Sequence, residues 1–262
     1  MAEIGCNWAT VDEALEMIQQ SKISGADFCK FQLFNKETIA DSPFRDKLEK
    51  LILTEEGIKY FRAKADAVGI GFVLTPMYLE AVDLAAKYAD LIKIRFKDHK
   101  NQPLIDKALA TGKTVLISVP YRPIGQYMYH PRIKFLYNIP KYPSEPEDFN
   151  LDSASACDGV SLHFPHTLFD LAYAINRLPE EAYIEKHVML PYPSEGALKD
   201  LQGNYAVGHY ETTIVEGTET TKFVQEPINV APIDSAVSIS FSELQNFISE
   251  LRLIERMKRT RI

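Results

Sequence analysis

The chain reads as an α/β protein: a closed (β/α)8 or TIM barrel with a hairpin-containing insertion after its eighth strand. Three observations predict this. Short apolar runs alternate with amphipathic helical stretches, the pattern of parallel strands joined by crossover helices. Eight such runs occur, and eight strands close a ring. The length, 262 residues, fits one barrel of about 250 residues. An open doubly wound sheet is the fallback, weakened because no GxGxxG follows the first run.

The strands are expected at Ala2–Cys6, Asp27–Phe34, Gly71–Thr75, Leu91–Arg95, Thr114–Val119, Ile133–Ile139, Gly159–Phe164 and Tyr183–Leu190. Helices are expected at Val11–Lys22, Glu55–Ala67, Leu79–Tyr88, Pro103–Ala110, Leu151–Ala156, Leu168–Arg177 and Ser240–Met257. Gly25, Gly69 and Gly112 close three of them. Pro120–Arg132 is irregular and holds three prolines. The rhythm breaks at Pro191–Pro232, a stretch of about 40 residues that exceeds the usual connection length. Within it Tyr210–Val215 and Thr221–Gln225 flank the turn Glu216–Glu219 and read as a β-hairpin. Following the eighth strand, it would sit over the mouth as a lid or an oligomer contact. A decorative insertion is the plainer reading. The whole chain, 1–262, is thus expected to form a single domain with an insertion at about 191–232.

A formal net charge of −7 argues against a non-specific nucleic-acid partner, which needs a basic footprint. It leaves room for a small anionic substrate, because a few lysines in a cleft set the local field. Cys6, Cys29 and Cys157 are odd in number and far apart, so neither a disulfide framework nor a zinc knuckle is expected, and a reduced cytoplasmic setting is the natural one. No apolar run reaches the roughly 18 residues of a membrane span. The opening MAEIGCNW lacks the basic start and apolar stretch of a signal peptide.

Residues two apart on a strand face the same way. Polar pairs obey this spacing near expected strand ends: Lys30 with Gln32, Lys93 with Arg95, Ser161 with His163, Glu185 with His187. Glu3, Thr75 and Ser118 also sit late in their strands. Singly, each has a bland reading: Lys30 or Lys93 as a solvated or paired lysine, His187 as a satisfied core histidine. A barrel interior is filled mainly by branched apolar side chains, and unpaired charge there is costly. So many inward polar groups at one end therefore indicate a site. His163 and His187 fall on neighbouring strands and could hold a divalent ion with positions left open. Lysines beside Thr and Ser hydroxyls suit a phosphate or carboxylate.

The strings AEIGCNW, GADFCKFQLF, GIGFVLTPMYLEAVDLA, LIKI, NQPLIDKALATGKTVLIS, YPSEPEDFNL, GVSLH and IEKH together resemble the sialic acid synthase (N-acetylneuraminate synthase, NeuB-like) family, in order and over nearly the whole chain. The resemblance implies an enzyme that condenses phosphoenolpyruvate with an N-acylated hexosamine to give a nonulosonic acid, with Mn2+ or Mg2+ as cofactor. It implies that Glu3 works on the sugar with Gln32 nearby. Lys30, Thr75, Lys93, Ser118 and Ser161 would bind phosphoenolpyruvate, and His163 and His187 the metal. Tyr142 matches the tyrosine of the family's YP motif, and Asp234 looks like the aspartate of its PD motif.

Departures accompany the resemblance. The family's NH pair reads Asn7–Trp8, Phe96 replaces a serine with Arg95 beside it, and Pro140 replaces an asparagine. The family's STG reads Ser118–Val119–Pro120, and its SDHT reads SLHFPHT. Arg95, if it points inward, would compensate as an anion clamp. The family's leading hairpin and C-terminal antifreeze-like domain are not matched here. A homodimer remains open as a partner arrangement. Two other functions stay open: a related metal-dependent barrel acting on another anionic or sugar substrate, and a degenerate barrel that binds a sugar acid without turnover. Trp8, Phe96 and Pro140 favour the last; the inward Glu3, Lys30, Lys93, His163 and His187 oppose it.

Overall fold

A computed structural model describes residues 1–125, 127–176, 182–190, 197–199, 205–215, 218–225 and 233–259, with the three strands between 197 and 225 described by their backbone. Along the first half of the chain the elements are β1 (Ala2–Glu3), α1 (Val11–Ile23), β2 (Phe28–Leu33), α2 (Arg45–Glu49), α3 (Glu55–Val68), β3 (Gly71–Pro76), α4 (Ala81–Tyr88), β4 (Leu91–Ile94), α5 (Gln102–Ala110) and β5 (Thr114–Val119). The second half adds β6 (Ile133–Tyr137), α6 (Leu151–Ser155), β7 (Gly159–Ser161), α7 (Leu168–Asn176), β8 (Tyr183–Met189), β9 (Ala197–Lys199), β10 (Tyr205–Val215), β11 (Thr218–Gln225), β12 (Ile239–Ser240) and α8 (Phe241–Arg259). Neighbours from β1 to β8 pair in parallel, and β1 pairs with β8 to close the ring. The fold is a TIM barrel.

Local chemistry sets the element ends. Thr10 caps α1 in a reciprocal capping box with Glu13, and Thr54 caps α3 through the Gly57 N–H. The positive φ of 71° at Gly69 ends α3 in the left-handed conformation that glycine adopts without strain.

Between β5 and β6 the described residues form no helix, in keeping with the irregular stretch expected there, because the prolines of 120–131 leave backbone without donors. Two expectations need correction. The first strand stops at Glu3 rather than Cys6, because Gly5 turns the chain with φ of 51°. The seventh stops at Ser161, so His163 lies just beyond the strand rather than in it.

The expected hairpin is present and longer, with β10 antiparallel to β11 in the register Val215↔Thr218; residues 216 and 217 of its turn lie outside the described residues. β9 joins β10 in a separate three-stranded sheet. The short β12 pairs with β8 outside the ring, and no periodicity in so brief a strand announces it.

Alternation divides the barrel side chains into two populations. Phe31, Phe72, Ile92, Ile117, Phe135 and Val160 lie in the apolar layer between strands and helices. Val73, Leu116 and Leu136 belong to the interior of the ring. Gly159 lets β7 and β8 approach there: a Cβ at its position would lie 2.0 Å from the Tyr183 carbonyl oxygen and 2.6 Å from Leu136 Cδ2. Gly159→Ala is therefore expected to destabilise the chain by at least about 2 kcal/mol through overpacking against backbone. A urea midpoint equal to the parent's would refute that.

Candidate active site

Glu3 ends β1, and the strand register sets it beside Lys30 of β2 on one side and His187 of β8 on the other. Its side chain is fully buried. One carboxylate oxygen pairs with the Lys30 ammonium, and the other accepts from Gln32 Nε2 at 3.1 Å. Lys30 Nζ also donates to Thr75 Oγ1 at 3.2 Å and lies 3.5 Å from Glu185 Oε1. Lys93 reaches the same carboxylate, 3.2 Å from Glu185 Oε2, and stands 3.4 Å from Ser161 Oγ. Ser161, level with Glu185 across β7 and β8, donates to Glu185 Oε1 at 2.9 Å. Two carboxylates and two ammonium groups thus share one buried volume with matched charge, the condition under which such burial is tolerated.

The two lysines are driven apart electrostatically. Burial acts to lower Lys30, but the Glu185 and Glu3 carboxylates outweigh it and raise its pKa. At Lys93 burial prevails over Glu185, with help from the charge on Lys30, and the pKa falls. Burial works to raise Glu185, yet Lys30 and Lys93 overcome it and hold that carboxyl below the usual range. Ser118, also buried, has a hydroxyl with no hydrogen-bond partner. An unpaired buried donor on the strand next to the one that carries Lys93 is what an anion would satisfy.

A second group adjoins the first. His187 Nδ1 lies 3.4 Å from Asp234 Oδ2, and the Tyr142 hydroxyl donates to Asp234 Oδ1. The ring of His163 packs 4.7 Å from that of Tyr142 and 5.3 Å from that of His187, centre to centre. Desolvation, with the neighbouring His187, pushes His163 down to about 3. For His187 desolvation is outweighed by Asp234, which raises the imidazole. Asp234 itself is held down to about 2, His187 and Tyr142 overcoming its burial. Desolvation and Asp234 raise Tyr142.

Paired imidazoles at this separation, with His187 Nδ1 in ion-pair contact with Asp234 but making no aligned hydrogen bond, fit a divalent ion whose other positions stay open to substrate and water. Among the described residues no group of three or more His, Cys, Asp or Glu is placed to hold a metal ion, so two imidazoles would leave the remaining positions to substrate and water.

Of the residues singled out from the sequence, Arg95 is the one the fold places elsewhere. β4 ends at Ile94, and Arg95 opens a 3-10 turn over Phe96–Asp98. Its guanidinium pairs with Asp98 three residues on and meets Met77 Sδ at 2.9 Å. It is committed at the rim rather than directed at the buried lysines.

Gly5 and Asn7 are contributors that sequence reasoning missed. A Cβ on Gly5 would lie 2.7 Å from Glu3 Oε1 and 3.1 Å from Asp234 Oδ2, so the missing side chain admits both carboxylates. Asn7 Nδ2 donates to the Val188 carbonyl and to Ser238 Oγ, each at 2.8 Å, and its Oδ1 accepts the Asp234 N–H at 3.0 Å. It clasps the turn that carries Asp234 onto β8. Gly5 stands in the AEIG string without any local signal of this role, and no local pattern could announce the contact between Asn7 and Asp234, 227 positions apart.

Comparison with known proteins bears on this geometry. The sequence model of the NeuB family matches residues 17–156, more than half of the chain. An uncharacterized protein of Methanocaldococcus jannaschii is 29% identical over 214 residues, covering 75% of this chain and 63% of its own length. N-acetylneuraminate-9-phosphate synthase of Mus musculus is 27% identical over 177 residues, 58% of this chain and 49% of that protein. The chain therefore spans 49% to 63% of the length of these relatives. In three dimensions the crystal structure of N-acetylneuraminic acid synthetase from Leptospira borgpetersenii is similar, with a TM-score of 0.71 at 20% identity, over 98% of this chain and 83% of that one. At that identity the likeness speaks for the fold.

Proposed function

Because the chain belongs to the NeuB family, we propose that it is a sialic-acid-synthase-like enzyme that condenses phosphoenolpyruvate with an N-acylated hexosamine or related aldose, releasing phosphate. The observation that carries this reading is the charge-matched cluster of Glu3, Lys30, Lys93 and Glu185 at the strand ends, with the unpaired Ser118 hydroxyl. Incoming anionic groups would displace carboxylate contacts from the lysines and satisfy Ser118 and Thr75.

In the reaction the enol carbon of phosphoenolpyruvate forms a bond to the aldehyde carbon of the open-chain sugar. A proton is taken up on the aldehyde oxygen. Water adds to the cationic carbon so formed, loses a proton, and the carbon–oxygen bond to phosphate breaks. Lys30 and Lys93 stabilise the charge on the phosphate and carboxylate as it shifts. Glu3, held by Gln32 and Lys30, orients the sugar and exchanges its proton. Tyr142 and Asp234 line the same space and orient His187. Glu185 and Ser161 hold Lys93 in place. His163 and His187 would hold Mn2+ or Mg2+, which supplies Lewis acidity toward the aldehyde. Phosphoenolpyruvate and the amino sugar are the partners of this reading.

Its test is phosphate release from phosphoenolpyruvate with Mn2+ and a panel of aldoses that includes N-acetylmannosamine. Release with at least one aldose is expected, and none with any would overturn the reaction while leaving the fold intact. Glu3→Gln is expected to reduce turnover at least about 100-fold, the scale of a lost general acid–base group, in a protein that still folds. Turnover equal to the parent's would remove Glu3 from the mechanism. A different anionic substrate is favoured by two observations: Phe96, where the family has a serine, packs tilted against His99 with ring centres 4.9 Å apart, and Arg95 is tied to Asp98. The same assay run with other phosphorylated acids distinguishes the two.

A further inference from the structure

Lys186 sits on β8 between Glu185 and His187, so the pleat turns it away from the mouth and into the layer between strands and helices. Its side chain is 1% exposed. Around it that layer is built largely from apolar residues. Taking an ammonium group out of water is expensive, and an apolar side chain would fill the space without that cost.

The ammonium has three donors, and all are used. It donates to the Phe164 carbonyl at 2.9 Å, to the His166 carbonyl at 2.8 Å and to Asp170 Oδ2 of α7 at 3.0 Å. Two of these bonds go to backbone, in the short stretch that follows His163. That stretch lies past the end of β7, so no strand ladder holds it. The His163 carbonyl accepts the Ser144 N–H at 2.9 Å on one side, and Lys186 grips the next residues on the other. Lys186 and His187 are consecutive, so one strand presents the first imidazole and anchors the backbone of the second.

We propose that Lys186 is a positioning residue that sets His163 against His187 by holding the backbone of Phe164 and His166, with Asp170 balancing its charge. The proposal rests on the reading of the two imidazoles as a metal-holding pair. Without the grip, the loop would place His163 less closely and the pair would bind an ion less tightly.

The test uses the full chain and two variants. The double variant Lys186→Met with Asp170→Leu removes both charges together and keeps the layer apolar, so it folds. Asp170→Asn leaves the two carbonyl bonds in place. Two quantities are read: the Mn2+ dissociation constant, and the imidazole NMR resonances of His163 in the metal-free protein. In the double variant Mn2+ binding is expected to weaken about tenfold, the cost usual for losing an outer partner of a metal ligand, with shifted or broadened His163 resonances. In the fraction that stays folded, Asp170→Asn leaves both readings near the parent's. A folded double variant with the parent's resonances and the parent's Mn2+ affinity would overturn the proposal. If the parent chain binds no Mn2+, the metal reading fails, and the His163 resonances alone decide the role of Lys186.

Discussion

Lys30→Met is expected to cost the fold about 3–5 kcal/mol, the usual penalty for breaking a buried ion pair from one side. Lys30 is 3% exposed and is shared by Glu3 and Glu185, so its loss leaves both carboxylates short of a cation. Lys93 remains on Glu185 but, among the described residues, forms no hydrogen bond or ion pair with Glu3. The methionine fills much of the volume, so the loss is chiefly electrostatic. Turnover of phosphoenolpyruvate should fall by about 100- to 1,000-fold in whatever fraction stays folded, as when one preorganised donor is removed from a dry site. Urea unfolding and phosphate release measure the two effects separately. A variant as stable as the parent would mean that the four charges are better hydrated than their burial implies.

The second large effect concerns the imidazoles. His163→Ala and His187→Ala are each expected to weaken Mn2+ binding by more than about 100-fold, beyond what outer partners of a ligand usually cost. Their structural consequences should differ. His163 packs ring to ring on Tyr142 and His187, so its removal costs about 1 kcal/mol of aromatic contact. His187 faces Asp234, and without it the carboxylate of this 9% exposed aspartate is left with the Tyr142 hydroxyl as its hydrogen-bond partner. That variant should lose about 2 kcal/mol or more, the cost of a buried polar group stripped of a partner. Calorimetric titration with Mn2+ gives the affinities. Two variants that both bind like the parent would show that neither imidazole is a ligand, and would turn attention to a barrel that binds without turnover.

How much of this was legible in the chain can be judged from particular residues. Lys30 with Gln32 and Glu185 with His187 were legible because a strand repeats every two residues, and the parity of the position decides which face receives the side chain. That parity needs no tertiary knowledge, and it put Glu3, Lys30, Lys93, Ser161 and Glu185 in one interior. It failed at Arg95, where the strand had already ended and Asp98 took the guanidinium. Parity carries no information past the last ladder bond. His163 escaped the same error only because the chain beyond β7 stays at the mouth, held by Ser144 and Lys186.

What the sequence determined by itself was the number of strands in the ring, the alternation that selects a barrel, and the inward set of charges, all of which follow from local periodicity. Only the tertiary structure decided who pairs with whom. Glu3 meets His187 because a closing ring makes the first and last strands neighbours. Asp234 arrives beside His187 because Asn7, 227 residues earlier, holds its backbone. Lys186 turns outward one residue from the site and ties α7 to β8. Such contacts depend on the three-dimensional path of strands and loops, and no repeat of two or 3.6 residues encodes that path.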